Sequence, residues 1–208
     1  MSEASEKQAS GPSGGIGVVI VAAGRGARAG QADGPKQYQR IGGRAVIAHT
    51  LDIFLAHPLI GTVVVAIHAD DAELFAGAAG THGERLVTVI GGASRQASVR
   101  LGLLALKDHA PGKVLVHDAV RPFVDAAIID RTIEAIDDRQ GALPCLPVAD
   151  TLKRESATGM IQETVSRAGL HAAQTPQGFP YGSLLAAHEK AQQVRSEATS
   201  SGELQSRS

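Results

Sequence analysis

The residues best suited to chemistry lie in a glycine-rich, basic loop that follows a short apolar run. The run is Val18–Val21, and the loop after it carries Arg25, Arg28 and Lys36. The glycines of this loop are Gly24, Gly26, Gly30 and Gly34. Glycine lets the backbone approach a ligand closely, and cationic side chains pair with phosphate oxygens. The loop therefore predicts a binding site for a small molecule that carries phosphate.

The same loop also fits the dinucleotide-binding fingerprint G-x-G-x-x-A, over Gly24–Ala29. That fingerprint needs an acidic residue at the end of the next strand, about 20 residues further on. Position 44 is Arg44, and the next predicted strand ends only near Asp70. Three cations in one loop suit a triphosphate better than a pyrophosphate bridge. The sequence therefore favours a triphosphate loop, and a dinucleotide loop or a structural loop with solvated arginines are the alternatives.

A second candidate segment is Gly91–Ser98, which reads GGASRQAS. Two glycines before a helix let backbone amides and carbonyls read the edge of a base. Ser98 lies one turn beyond Ser94, so its hydroxyl can face the same pocket. The alternative is a plain turn from strand to helix with Ser94 as the N-cap.

The third candidate is Asp118, which follows a buried strand directly. A carboxylate beside an anionic site can hold Mg²⁺ jointly with the phosphates of a substrate. The alternatives are an ion pair with Arg121 and a helix cap. We expect the neighbouring His117 to be a packed residue rather than a ligand.

Further cations and hydroxyls lie in the last third of the chain, at Lys153, Arg154, Arg167, Thr151 and Thr175. Together they can hold a second phosphate group. The alternative is that these charges are solvated, as is usual on a projecting hairpin.

The elements that must position these residues are strands that alternate with helices. Strands are predicted over 16–21, 62–67, 86–90, 114–116 and 142–148, and helices over 44–57, 70–79, 125–138, 181–194 and after Ser94. This alternation predicts a doubly wound, mostly parallel α/β sheet. Ligands bind such sheets at the carboxyl ends of the strands, where the loop, Gly92 and Asp118 all fall. Pro144 and Pro147 place the fifth strand at an edge or make it irregular.

The chain divides into one domain with two polar ends. We expect a disordered lead over 1–15, a domain over 16–194 and a disordered polar tail over 195–208. Within the domain, 150–178 predicts a β-hairpin arm that projects from the sheet and turns at Ala157–Gly159. An isolated hairpin is marginal in water, so this arm is expected to pack on a partner.

Composition narrows the class of protein. The formal net charge is −1, so no global basic field favours nucleic acid. The single cysteine, Cys145, excludes a disulfide framework and suits a reducing cytoplasm. No apolar run approaches the roughly 20 residues that span a bilayer, so we expect no membrane partner.

Five segments together resemble the 2-C-methyl-D-erythritol 4-phosphate cytidylyltransferases of the non-mevalonate isoprenoid pathway. The segments are AAGRGARAG with PKQY (22–38), GGASRQASV (91–99), HDAVRP (117–122), PVADTLKR (147–154) and VSRAGLHAAQTPQGF (165–179). The resemblance implies a Rossmann-like nucleotidyltransferase fold. It also implies transfer of CMP from CTP to methylerythritol phosphate with Mg²⁺ as cofactor. A homodimer is implied as well, in which the arm of one subunit completes the site of the other.

The resemblance also assigns roles to individual residues. Arg28 and Lys36 would be the catalytic basic pair, Asp118 would lie at the metal, and Arg167 would meet the second substrate. The implied CTP-binding residues are Ala22, Ala23, Gly24, Gly26, Gly92, Ala93, Ser98 and Ala119. The implied substrate-binding residues are Arg121, Thr151, Lys153 and Thr175.

The chain departs from the family pattern after its last predicted helix. The family continues with a T-D-[DE]-A segment and an N-x-K-[VI]-T motif, whereas this sequence ends in RSEATSSGELQSRS. Truncation from a longer or bifunctional protein is one interpretation of this difference. The alternative functions are cytidylyl transfer to another polyol phosphate such as ribitol 5-phosphate, an inactive nucleotide-binding domain, and a nicotinamide oxidoreductase.

Overall fold

A computed structural model describes residues 15–25, 34–80 and 82–205, with side chains as far as Glu197. The strands are β1 (Ile16–Ala22), β2 (Arg40–Ile41), β3 (Arg44–Ala45), β4 (Ile60–Ile67), β5 (Leu86–Ile90), β6 (Lys113–Asp118), β7 (Cys145–Pro147), β8 (Leu152–Glu155), β9 (Ile161–Val165), β10 (His171–Ala173) and β11 (Gln177–Pro180). The helices are α1 (Val46–Ala56), α2 (Ala72–Ala79), α3 (Arg95–Ala105), α4 (Ala126–Glu134) and α5 (Tyr181–Gln205). A 3₁₀ turn over Lys36–Tyr38 returns the chain after the basic loop.

The central sheet has five strands in the order β5-β4-β1-β6-β11. Its first four strands are parallel, and β11 runs antiparallel to β6. The predicted doubly wound, mostly parallel sheet is therefore confirmed. The chain moves outward from β1 to β4 and β5 on one side and to β6 on the other. This reversal opens a crevice at the carboxyl ends of β1 and β6, where Val21 pairs with Asp118.

Two apolar layers enclose the sheet. One face packs against α1 and α4 through fully buried residues such as Phe54, Leu51 and Ile129. The other face packs against α3 and α5, where Leu103 is fully buried. At Gly102 a Cβ would lie 2.5 Å from Cγ1 of Val19, so only glycine lets α3 approach β1 this closely. The predicted sequence of buried strands and amphipathic helices thus builds a rigid base beneath the crevice.

The predicted fifth strand over 142–148 is irregular, as its two prolines indicated, and meets the central sheet only through an isolated bridge between Ala142 and Gly178 of β11. Only Cys145–Pro147 forms a strand, and it pairs with β10 in a separate two-stranded sheet. Pro144 and Pro147 cannot donate ladder hydrogen bonds, which explains the irregular backbone. The position beside β6 is taken by β11, which the sequence analysis did not predict because QGFP shows no alternation.

The predicted ends of the domain also need revision. Helix α5 was expected to end at Val194 before a disordered tail, but it continues to Gln205. No proline interrupts 195–205, so nothing in the sequence of this stretch prevents the helix from continuing. The predicted lead over 1–15 lies outside the described residues, apart from Gly15.

The projecting arm forms as predicted. Strands β8 and β9 pair antiparallel, and Gly159 takes a positive φ of 81° in the turn between them. Most of its side chains are exposed, so the arm contributes little to the apolar core. Among the described helices, none is long and apolar enough to cross a membrane.

Candidate functional site

A cavity of about 680 Å³ lies at the carboxyl ends of the parallel strands. Nine of the predicted site residues line it, namely Ala22, Ala23, Gly24, Lys36, Gly92, Ala93, Ser98, Asp118 and Ala119. A volume between about 300 and 1,000 Å³ is typical of small-molecule sites. The predicted nucleotide half is therefore one continuous cavity, and two further predicted residues, Gly26 and Arg28, lie outside the described residues.

The start of the basic loop is held by Gln37, a residue that the sequence analysis missed. Its side chain is buried, and its Nε2 donates to the carbonyl of Ala22 at 2.7 Å and to that of Gly24 at 3.4 Å. These two carbonyls belong to the last residue of β1 and to the loop after it. Gln37 therefore connects the 3₁₀ turn after the basic loop to the backbone at the start of that loop.

The Gly91–Ser98 segment forms the predicted N-cap and also lines the cavity, whereas its reading of a base stays a prediction. Ser94 caps α3 by accepting from the amide of Ala97 at 3.1 Å. The Ser98 hydroxyl donates to the Ser94 carbonyl at 3.0 Å and accepts from the Gly92 amide at 3.1 Å. Ser98 thus lines the cavity and fixes the turn at the same time.

Glycine is required at the floor of the cavity. A Cβ at Gly91 would lie 2.5 Å from Cβ of Ala23, and one at Gly92 would lie 2.5 Å from Cβ of Ala97. The turn after β5 therefore packs directly against the loop after β1. Backbone amides and carbonyls, rather than side chains, form this part of the surface.

Asp118 lies between two arginines. Its Oδ1 accepts from Nη2 of Arg95 at 2.9 Å, and its Oδ2 accepts from Nε of Arg121 at 3.0 Å. Arg121 also donates to Oε1 of Gln174 at 2.5 Å. The Asp118–Arg121 ion pair, one of the alternatives predicted from the sequence, is therefore present. Arg95, in the Gly91–Ser98 segment, is a second partner of Asp118 that was not predicted.

The residues at Asp118 fit a magnesium ion that arrives on a polyphosphate. Such an ion needs only one or two protein carboxylates, because substrate oxygens and water fill the other positions. Within the described residues, no group of three or more potential metal ligands is present. Arg95 is half exposed, so its guanidinium can leave Oδ1 for a phosphate oxygen. The chemistry of the donor set thus suits a metal shared with the substrate.

His117 is fully buried, as the sequence predicted. Its Nε2 lies 3.1 Å from the carbonyl of Arg121, and its Nδ1 lies 3.0 Å from the hydroxyl of Thr175. A carbonyl can only accept, so Nε2 carries the hydrogen and Nδ1 accepts from Thr175. Burial lowers the pKa of His117 to about 4, so the ring is neutral near pH 7. His117 and Thr175 therefore support the Asp118–Arg121 turn from beneath.

The predicted substrate residues of the arm do not reach the cavity within this chain. Lys153 donates to the hydroxyl of Thr164 at 2.7 Å, and Arg167 donates to the carbonyl of Ala149. Thr151 is exposed. None of these three described residues lines the 680 Å³ cavity. The structure thus brings together the nucleotide half of the predicted site and leaves the arm apart from it.

Comparison with known proteins identifies the family of this chain. The family model for IspD, 2-C-methyl-D-erythritol 4-phosphate cytidylyltransferase, matches residues 16–206. A curated relative from Mesorhizobium japonicum, named bifunctional enzyme IspD/IspF, is 73% identical over 194 residues. The match covers 93% of this chain and 47% of the relative. The chain therefore spans about half the length of the curated relatives it matches.

Solved structures share the fold. A 2-C-methyl-D-erythritol 4-phosphate cytidylyltransferase from Thermus thermophilus superposes with a TM-score of 0.67 at 35% identity, covering 86% of this chain and 77% of that one. A 4-diphosphocytidyl-2C-methyl-D-erythritol synthase from Anaerococcus prevotii gives a TM-score of 0.71 at 28% identity, with 86% and 76% covered. The chain thus shares its overall fold with these structures.

Proposed function

Because the chain belongs to the 2-C-methyl-D-erythritol 4-phosphate cytidylyltransferase family, we propose that it transfers CMP from CTP to 2-C-methyl-D-erythritol 4-phosphate. The products are 4-diphosphocytidyl-2-C-methyl-D-erythritol and pyrophosphate. The observation that carries this proposal is the 680 Å³ cavity, in which the start of the basic loop, Lys36, the glycine turn and Asp118 meet. These are the residue types that a nucleoside triphosphate requires.

The proposed reaction is an in-line displacement at phosphorus. An oxygen of the polyol's phosphate forms a bond to the α-phosphorus of CTP, and the bond from that phosphorus to the bridging oxygen of pyrophosphate breaks. The attacking phosphate is largely ionised near pH 7, because its second pKa is about 6, so no protein base is needed. Catalysis then depends on positioning and on stabilising charge.

The residues predicted for the site would divide this work between them. Lys36 would stabilise the charge that develops on the leaving pyrophosphate, together with Arg28 from the loop. The backbone at Gly92 and the Ser98 hydroxyl would bind the base edge. Asp118 would hold a magnesium ion, which supplies positive charge to the phosphates when bound. Arg95 and Arg121, freed from or shared with Asp118, would contact the phosphates of the two substrates.

We also propose a homodimer in which the arm of one subunit reaches the cavity of the other. Apolar side chains are exposed on the arm, with Met160 at 69% and Ile161 at 67%. Thr151, Lys153 and Arg167 lie away from the cavity of their own chain. An association through the arm would cover these apolar groups and supply the second phosphate site.

The cytoplasm is the proposed location. Cys145 is exposed and unpaired among the described residues, which suits a reducing compartment.

The test is a product assay with the purified chain, CTP and Mg²⁺. We expect pyrophosphate and the cytidylyl product with 2-C-methyl-D-erythritol 4-phosphate, and a much lower rate with ribitol 5-phosphate. A higher rate with ribitol 5-phosphate would assign another polyol. No pyrophosphate above the level of the Lys36→Ala variant would identify an inactive nucleotide-binding domain. Stabilisation by NAD(P) but not by CTP would favour an oxidoreductase.

A further inference from the structure

A buried carboxylate lies next to the basic loop and has no role in the proposed chemistry. Asp71, which precedes α2, is only 2% exposed. Its Oδ1 is 3.4 Å from Nη2 of Arg25, whereas its Oδ2 has no hydrogen-bond partner within the described part of the chain. A buried charge with one distant partner is costly, because desolvation exceeds what a single cation returns. Such a group calls for a further partner.

Arg25 connects this carboxylate to the start of the loop. Its Nη2 lies 2.7 Å from Oδ2 of Asp70 and 2.8 Å from Nδ1 of His68. The three acceptors His68, Asp70 and Asp71 all belong to the connection between β4 and α2. Arg25 also lines the 680 Å³ cavity. Arg25, the first cation of the loop, is therefore paired with the connection between β4 and α2, and its charge is not available to a ligand.

Tyr38, after the other end of the loop, lies beside the start of α2, which Asp71 precedes, because it lines one surface cavity together with Glu73 and Leu74. Its hydroxyl is buried and has no hydrogen-bond partner among the described residues. Burial, and then the charge of Asp71, raise the pKa of Tyr38, so the phenol stays protonated and can donate. Two buried groups without a partner, a phenol donor and a carboxylate acceptor, thus both lie at the start of α2 and are chemically complementary.

From this arrangement we propose that Asp71 is a positioning residue that fastens both ends of the basic loop, through Arg25 at its start and Tyr38 after its end. In this proposal the Tyr38 hydroxyl donates to Oδ2 of Asp71 either directly or through one water molecule. Lys36 lies two residues before Tyr38 in the same 3₁₀ turn. Asp71 therefore fixes the spacing at which the cations of the loop meet a triphosphate.

Gln37 supports the same function from the opposite side. It ties the 3₁₀ turn to the carbonyls of Ala22 and Gly24, as described above. Gln37 binds the backbone carbonyls at the start of the loop. Asp71 is proposed to bind the side chains of Arg25 and Tyr38 at the two ends of the loop. The effect on CTP rests on the proposed function, but the fastening of the loop does not.

Hydrogen exchange tests the fastening without any ligand. We expect Asp71→Asn to accelerate amide exchange at least fivefold in peptides that span 22–38, and to leave α3 unchanged. Asp52→Asn is the matched control, because Asp52 is half exposed and neither it nor its ion-pair partner Arg44, at 2.8 Å, lines the 680 Å³ cavity. Equal exchange over 22–38 in the Asp71 and Asp52 variants would overturn the proposal.

A second variant covers the case in which Asp71→Asn does not fold. Tyr38→Phe keeps the ring and removes only the hydroxyl, so it should accelerate exchange over the same peptides by at least twofold. Arg25→Ala should act in the same direction, and Arg25→Lys should restore part of the protection. Unchanged exchange in Tyr38→Phe would show that the phenol does not reach Asp71 and would overturn the two-ended fastening.

Kinetics then separate positioning from general loss of structure. In Asp71→Asn we expect the KM for CTP to rise about tenfold, which is about 1.4 kcal/mol. The KM for the polyol phosphate should stay within twofold. A merely structural role would reduce the active fraction, lowering kcat with both KM values unchanged, and would overturn the proposal. If the wild-type chain forms no product, the proposed function fails, and the exchange experiment still decides the role of Asp71.

Discussion

The 680 Å³ cavity and the arm are built in different ways, although both belong to one chain. Buried side chains such as Gln37, Ser98 and His117 hold the cavity. In the arm, the side-chain pairs Lys153–Thr164 and Arg154–Glu163 are exposed. The cavity therefore depends on the fold of its own chain. The arm is an exposed two-stranded hairpin, which is expected to be stable only when it packs against another surface.

This difference predicts where substitutions will act. Changes in the cavity should alter the chemical step or the stability of the whole fold. Changes in the arm should alter one substrate or the association of subunits, and leave folding nearly unaffected. The four predictions below test that division, beginning with the largest expected effect.

Lys36→Ala tests the cavity where charge moves during the reaction. Lys36 lines the cavity, and its cation is needed most as charge reaches the leaving pyrophosphate. We expect kcat to fall about 100-fold or more, as on removing an electrostatic stabiliser of a transition state. Steady-state kinetics measure this, with Lys107→Ala, an exposed lysine, as control. An effect confined to KM would contradict the catalytic role.

His117 predicts a pH dependence of stability. Its pKa is about 4 in the folded chain, because the ring is buried, and 6.5 for an exposed ring. Between these values the unfolded chain binds more protons, so stability falls as the pH drops from 7 to 5. We expect His117 to account for a loss of about 2 kcal/mol in the free energy of unfolding between pH 7 and pH 5.

Urea unfolding at pH 5 and 7 measures that contribution. The loss between the two pH values should be smaller in His117→Gln by about the same 2 kcal/mol. His171→Gln, an exposed histidine in β10, should behave as the wild type. Equal pH dependence in the wild type and His117→Gln would show that the buried ring does not titrate as described.

Arg167→Ala tests the arm as a substrate site. A charged hydrogen bond to phosphate contributes about 1.5–3 kcal/mol, so we expect the KM for the polyol phosphate to rise at least about tenfold. The KM for CTP should stay within twofold. Arg154→Ala is the matched control, because Arg154 is already paired with Glu163. Equal weakening of both substrates would place Arg167 in the cavity instead.

Glu163→Gln has the smallest expected effect. It breaks a 2.6 Å ion pair whose two side chains are more than half exposed. Exposed pairs contribute little, so the free energy of unfolding should change by no more than about 0.5 kcal/mol. Thermal or urea unfolding measures this change. A loss of several kcal/mol would show that the arm is part of the cooperative core and would break the division between the two regions.

Local patterns predicted much of the fold and the nucleotide half. Ser94 is an N-cap that precedes an apolar stripe, and Asp118 ends a continuous apolar run, so both were placed correctly. Strand β11 was missed because Gln177–Pro180 has no periodic pattern and is held by pairing with β6. The end of α5 was missed because a helix with polar residues on all faces leaves no apolar stripe to follow.

The contacts that the sequence could not show are those between distant segments. The pair Arg95–Asp118 spans 23 residues, and Arg25–Asp70 spans 45. Each pair depends on which strands become neighbours, and that is decided by the packing of the whole sheet. The roles of Thr151 and Arg167 in substrate binding stay predictions, because no contact within the chain tests them.

The junction between β10 and β11 has a consequence for how the specific activity depends on protein concentration. Gln174, between β10 and β11, accepts a hydrogen bond from Arg121, and Arg121 donates to Asp118. The strand that follows, β11, pairs with β6 of the central sheet. Whatever steadies the arm therefore steadies the carboxylate at the reaction centre. If subunits associate through the arm, mass action links the amount of enzyme to the readiness of each site. Specific activity would then rise with protein concentration until association is complete.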